Sequence, residues 1–89
     1  MKGIITVLGK DTVGIIAKVC TYLAEHNVNI LDISQTIVQD YFNMMMIVDI
    51  SKTATSFETI VEDLQDVGKS IGVEIKIQHE DIFNIMHRI

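Results

Sequence analysis

The stretch VNILDISQTIVQDYFNMMMIVDI, residues 28–50, decides the architecture. Its first part, VNILDISQTIVQD (28–40), alternates imperfectly but is rich in Ile and Val, and it reads as one long strand. DYFN (40–43) reads as a hairpin turn, and MMMIVDI (44–50) as the strand that returns. No helix separates the two strands, so whatever flanks them has to complete a mixed arrangement.

Working outward, GIITVL (3–8) is rich in β-branched residues and fits a strand buried on both faces, ending at Gly9. From Val13 the apolar positions Val13, Ile16, Ala17, Cys20, Leu23 and Ala24 keep helical spacing. Asp11 or Thr12 can cap that helix, and His26 and Asn27 mark its end. Beyond the hairpin, Phe57, Ile60, Val61, Leu64, Val67, Gly68 and Ile71 hold one face over four turns. Thr55 and Glu58 have capping-box spacing there, and Gly72 is placed to stop the helix. VEIKIQH (73–79) alternates cleanly, with Val73, Ile75 and Ile77 inward. In the tail DIFNIMHRI, Ile82, Ile85, Met86 and Ile89 share a face, so a short helix over 81–89 must dock on the open sheet face or on another subunit.

The order β-α-β-β-α-β predicts an α+β, ferredoxin-like sandwich: a four-stranded antiparallel sheet with two helices on one face and a short C-terminal helix added. Residues 1–89 read as a single domain with its core in 1–80. There is no proline and no linker-like stretch to divide the chain.

Composition excludes several function classes. The net charge is −5, and the seven basic residues are scattered with a single arginine, Arg88, which does not suit a nucleic-acid surface. One cysteine, Cys20, cannot form an internal disulfide, which points to a reducing setting and an inert buried thiol. The longest apolar run, MMMIV (44–48), is far short of a membrane span, and no secretory signal is visible. The expectation is a soluble, cytoplasmic protein. An apolar content of 48% is heavy for 89 residues, and part of it is expected between subunits.

The loop in VLGKDTVGIIAKV (7–19) invites a phosphate-binding reading, because Gly9 and Gly14 have P-loop separation. Ile15 and Ile16 stand where a P-loop needs lysine and a hydroxyl, and no G-x-G-x-x-G is present, so nucleotide binding is set aside. A C-x-x-C metal carrier is excluded by the single cysteine. An RNA-reading sheet would need basic and aromatic residues where Met44, Met45 and Met46 stand; that run reads as core on both faces, the alternative being a plastic ligand or partner surface. His79 and His87 flank Glu80 and Asp81, but their spacing fits no common ligand set, so no metal is expected. Ser34, Ser51, Ser56 and Ser70 lie far in sequence from any histidine partner. The expectation is no enzyme and no cofactor.

Two readings of Asp11 and Gly14 remain. In one, backbone N–H groups at the helix start receive a carboxylate and Asp11 receives an ammonium group, which together suit a free amino acid. In the other, Asp11 caps the helix and Gly14 permits close packing.

D-x-x-G-I at 11–15 and NVNI at 27–30, in this order and spacing, resemble the ACT domain family of small-molecule-sensing regulatory modules, over residues 1–80. The segments GKDTVGIIAKV, NVNILDISQTI and FNMMMIV are most similar to stand-alone ACT proteins related to the glycine-cleavage regulators. The resemblance implies a homodimer, paired side by side or sheet to sheet, that binds an amino acid near the subunit seam. Asp11, Thr12, Val13, Gly14 and Ile15 would form one wall of that site, and Asn29 and Ile30 the other. Many members carry proline before the glycine where this chain has Val13, which leaves the loop less rigid. The function implied is sensing an amino acid and reporting it to a regulated protein partner; the alternative is a ligand-free scaffold using the same surfaces.

Overall fold

Seven elements follow one another in the computed structural model, which describes residues 1–86: β1 (Lys2–Lys10), α1 (Ile15–Glu25), β2 (Asn29–Val38), β3 (Tyr41–Asp49), α2 (Phe57–Ile71), β4 (Val73–His79) and α3 (Glu80–Met86). The strands form one antiparallel sheet in the order β2-β3-β1-β4. This is the expected ferredoxin-like sandwich.

The sheet's inner face and both long helices share one core. Ile5 and Val7 of β1, Met44 and Met46 of β3 and Ile75 of β4 pack with Ile15, Val19 and Leu23 of α1 and Ile60 and Leu64 of α2. Strand periodicity explains the selection, since alternate residues point to opposite faces. The methionine run therefore splits: Met44 and Met46 are fully buried while Met45, on the outer face, is 42% exposed. The expectation of core on both faces fails there, and it fails for β1 at Leu8, which is exposed. Ile4 is buried on that outer face, at the end where α3 lies against β1 and β4.

The helix ends differ from expectation in instructive ways. Helix α2 is capped one residue later than the Thr55–Glu58 pattern implies: Ser56 Oγ accepts from the Thr59 backbone N–H at 3.2 Å. Gly72 stops the helix as expected, with φ +76. Helix α1 starts at Ile15, not Val13, because Gly14 sits at φ +92, outside helical geometry. That shift rotates the buried stripe to Ile15, Val19, Tyr22 and Leu23. Ile16, Ala17 and Ala24 of the expected face are exposed, Val13 projects fully into solvent, and Cys20 is half-buried where a buried thiol was expected.

The β2–β3 turn falls at Gln39–Asp40, earlier than DYFN, and Tyr41, Phe42 and Asn43 belong to β3. His87 and Ile89 lie outside the described residues.

Candidate functional site

Strand β1 delivers the chain to the loop 11–14 at one end of the sheet. Lys10 is in register with Tyr41, which pairs with Val38, so the loop and the Gln39–Asp40 turn occupy the same end. They are tied together, since the Asp11 backbone N–H donates to the Asp40 carbonyl at 2.7 Å.

The capping reading of this loop does not hold. The N-terminal residue of α1 is Gly14, and no side chain caps the helix. Asp11 is exposed, and its carboxylate makes no hydrogen bond or ion pair among the described residues. Close packing does not explain Gly14 either, because a Cβ added there meets nothing within 4 Å. The residue is demanded by its left-handed backbone alone. The loop thus leaves the first N–H groups of α1 without a side-chain acceptor, next to an uncommitted carboxylate. Thr12 and Val13 are exposed beside them, and Ile15 is buried in the core as the first residue of the helix.

Asn29 and Ile30 sit elsewhere. Asn29 is in register with Asp49, and Asp49 with Lys2, at the opposite end of the sheet. Eight residues of β1 separate the two ends, about 26 Å at roughly 3.3 Å per residue. Within one chain the two predicted walls do not meet. Asn29 is exposed, and Ile30 packs partly against the core. Nearby, hydrogen bonding from the Ser51 N–H at 2.9 Å holds the Asp49 carboxyl below its usual range, with the Met1 ammonium 3.8 Å away.

The edges of the sheet differ in a way that the sequence pattern did not flag. At β4 the edge carries Glu74 and Lys76, paired at 3.2 Å, and charges of this kind discourage strand addition. At β2 the edge has Asp32 as its one charged residue between Asn29 and Val38. Every residue of β2 except Ile30 is exposed. A bulge at Leu31 leaves Asp32 to Val38 in unbroken register with β3. Ile33 and Ile37 face the helix side beside Met46 and Phe42, yet remain 44% and 53% exposed because the helices stop short of them. Helix α1 turns Lys18, Thr21, Tyr22 and Glu25 toward Val67 and Ser70 of α2. With 3.6 residues per turn, Ile16 and Cys20 then lie on the other flank, toward the β2 margin. Together these residues form an apolar ledge along an open backbone edge.

The groove between α1 and α2 contains a second polar feature. Tyr22 Oη donates to the Asp63 carboxylate at 2.6 Å, and the His26 ring stacks on Tyr22 at 4.0 Å. Burial, reinforced by Asp63, pushes the Tyr22 hydroxyl well above its ordinary pKa. The pair ties one helix to the other and lies apart from the loop 11–14.

Similarities to known proteins agree with this fold. The family model described as ACT domain matches residues 3–78. A UPF0237 protein of Bifidobacterium longum is 62% identical over 88 residues, covering 99% of this chain and 98% of its own length. Among solved structures, an ACT domain protein from Streptococcus pneumoniae is 39% identical with a TM-score of 0.81, covering 100% of this chain and 97% of that one. The regulatory subunit of aspartate kinase from Thermus thermophilus, in a ligand-free form, is 26% identical with a TM-score of 0.67, covering 86% of this chain and 50% of that one.

Proposed function

The chain belongs to the ACT domain family, and from that premise we propose that it is a regulatory module that binds an amino acid at the seam of a homodimer. ACT domains are generally regulatory, ligand-binding modules; the ligand class and the seam are the proposal.

The observation that carries this reading is the unguarded β2 edge. Two copies pair their β2 strands antiparallel about a twofold axis, extending each four-stranded sheet into one of eight strands. Antiparallel pairing centred on Asp32 to Val38 brings the partner's Asn29 level with the Val38–Asp40 turn, and so beside the loop tied to Asp40. The two walls that lie about 26 Å apart in one chain then face each other across the seam, twice per dimer. On one side stand the open N–H groups of α1 and the free Asp11 carboxylate, on the other Asn29 and Ile30. A carboxylate is suited to the helix start and an ammonium group to Asp11. Val13 and Ile16 offer apolar contact to a side chain. Closing both walls on a ligand stabilises the dimer and shifts its population, which is a signal that a regulated partner can read.

Thermal melts against the twenty amino acids test the reading. One or a few ligands raise the midpoint, since binding stabilises the native state by mass action. Asp11→Asn and Asn29→Ala abolish that rise while the unliganded midpoint stays put. A flat response to the whole panel sinks the ligand assignment.

A further inference from the structure

Between α1 and α2 lies a groove that neither the β2 seam nor the loop 11–14 uses. We infer that it docks a basic amphipathic helix of another protein, with that helix's apolar stripe on the groove floor and its lysines on an acidic rim. The inference rests on the reading above for the existence of a regulated partner, and it names the surface for that partner. Small side chains make the groove: Ala17 and Thr21 of α1 and Ser70 of α2 leave an open cavity of about 370 Å³ beside Tyr22 and Val67. The seam engages the opposite flank of α1, so the groove stays open in the dimer.

The middle of the groove is apolar. Two of its hydroxyls are already committed, since Tyr22 Oη donates to Asp63 and Ser70 Oγ donates to the Val67 carbonyl at 2.7 Å. Its charged groups, Lys18 and Glu25, stand at the two ends, about 10 Å apart at roughly 1.5 Å per residue. A small metabolite needs placed polar groups that converge on it, and this floor has none to spare. What it offers is Ala17, Val67, the Tyr22 ring and the stem of Lys18. On such a surface an amphipathic helix lays its apolar stripe.

Charge selects the occupant. Asp66 lies three residues from Asp63 and four from Ser70, so it stands on their side of α2, and Glu62 is its neighbour one turn back. Tyr22 meets Asp63 while Lys18 lines the groove with Val67, so the helices run antiparallel and Glu25 falls at the end of Glu62 and Asp63. These four carboxylates outnumber Lys18 and Lys69 by two, and among the described residues none of the six forms an ion pair. Lysines on the docking helix supply the missing partners. An anionic membrane, a nucleic acid and a second copy of this chain, at −5, each bring more negative charge to the rim.

Fluorescence anisotropy tests this with a labelled leucine/lysine peptide of about 18 residues, its leucines at helical spacing, and with the same peptide carrying glutamate for lysine. The full chain binds the lysine peptide and not the glutamate peptide. Glu62→Lys/Asp66→Lys inverts the rim, and Ala17→Trp fills the floor without changing charge; each weakens binding about tenfold or more. Glu74→Lys/Asp81→Lys makes the same charge change on β4 and α3, away from the groove, and binds like the wild type. All five positions are exposed, and Ala17→Trp carries the test if the rim variant fails to fold. The docking surface is overturned if the lysine peptide does not bind, if both peptides bind equally, or if the two charge-inverting variants weaken binding equally. A folded rim or floor variant that binds like the wild type also overturns it. None of these outcomes touches the amino-acid melts, and a flat response there with intact peptide binding removes the ligand assignment alone.

Discussion

Replacing Ile33 and Ile37 by lysine separates the fold from the assembly. Both side chains point to the helix side of β2, and neither belongs to the buried core. Fully burying an isoleucine contributes about 1.5–3 kcal/mol. Ile33 and Ile37 retain 44% and 53% of their surface in the single chain, so a seam along β2 completes roughly half of that burial. This is about 1 kcal/mol per side chain, or about 4 kcal/mol for the two copies together. A loss of that size weakens the dimer about a thousandfold. The two ammonium groups placed at the seam on each chain weaken it further.

The assay is sedimentation equilibrium, run beside thermal melts on dilute samples where the wild type has also dissociated. Ile33→Lys/Ile37→Lys is expected to be monomeric at concentrations where the wild type is a dimer. Its dilute midpoint stays close to the wild-type value, because exposed substitutions usually shift stability by no more than about 0.5 kcal/mol. The amino-acid response disappears with the dimer, although Asp11 and Asn29 are untouched. A dimer of unchanged affinity refutes the edge-strand seam. A monomer that still responds to the same ligand refutes the idea that the site needs both chains.

Further predictions concern single positions in the fold. Gly68→Ala is expected to destabilise by about 2 kcal/mol, against the usual gain from alanine in a helix, because its Cβ would lie 2.5 Å from the Val73 carbonyl oxygen; a chemical denaturation midpoint at or above wild type refutes this. Gln39→Gly is expected to raise stability by about 0.5 kcal/mol, since Gln39 occupies the left-handed region at φ 55 in the hairpin turn; calorimetry measures it. Tyr22→Phe is expected to cost about 1–2 kcal/mol through loss of the bond to Asp63. Because burial and Asp63 raise the Tyr22 pKa in the fold, its contribution is complete below the unfolded value of 10.0 and fades as pH climbs above it. Alkaline titration of stability should therefore fall more steeply for the wild type than for Tyr22→Phe. Gly14→Ala has room for its Cβ but not the backbone preference, so it should cost about 1 kcal/mol and depress the ligand response more than the fold.

The parts of this chain that were legible in its sequence are those governed by one chain's own periodicity. Val73, Ile75 and Ile77 alternate with Glu74 and Lys76, and both the inward set and the outward set are where the pattern puts them. The stripe on α2 is equally direct, with Ile60, Leu64 and Gly68 fully inward. Helix α1 misled because its sequence supports two apolar faces that share Leu23: Val13, Ile16, Ala17, Cys20, Leu23 and Ala24 in one frame, Ile15, Val19, Tyr22 and Leu23 in the other. Only the left-handed Gly14, which forces the helix to start at Ile15, selects between them.

Two apolar faces also explain why β2 alternates so poorly. A strand with one face in a core and one in water would show a clean two-residue period. In β2 Ile30, Ile33 and Ile37 face the helix side while Leu31 occupies the bulge and Val38 faces outward. Apolar residues on both faces of an exposed edge, without a lysine to guard it, suit a strand that becomes central once a second copy adds to it. The imperfect alternation of residues 28–40 fits the proposed pairing of this strand with a second copy. Asp11 and Asn29, assigned to one site by resemblance, stand at opposite ends of a single sheet, which is why the proposed site needs a second copy's β2 reversed against the first.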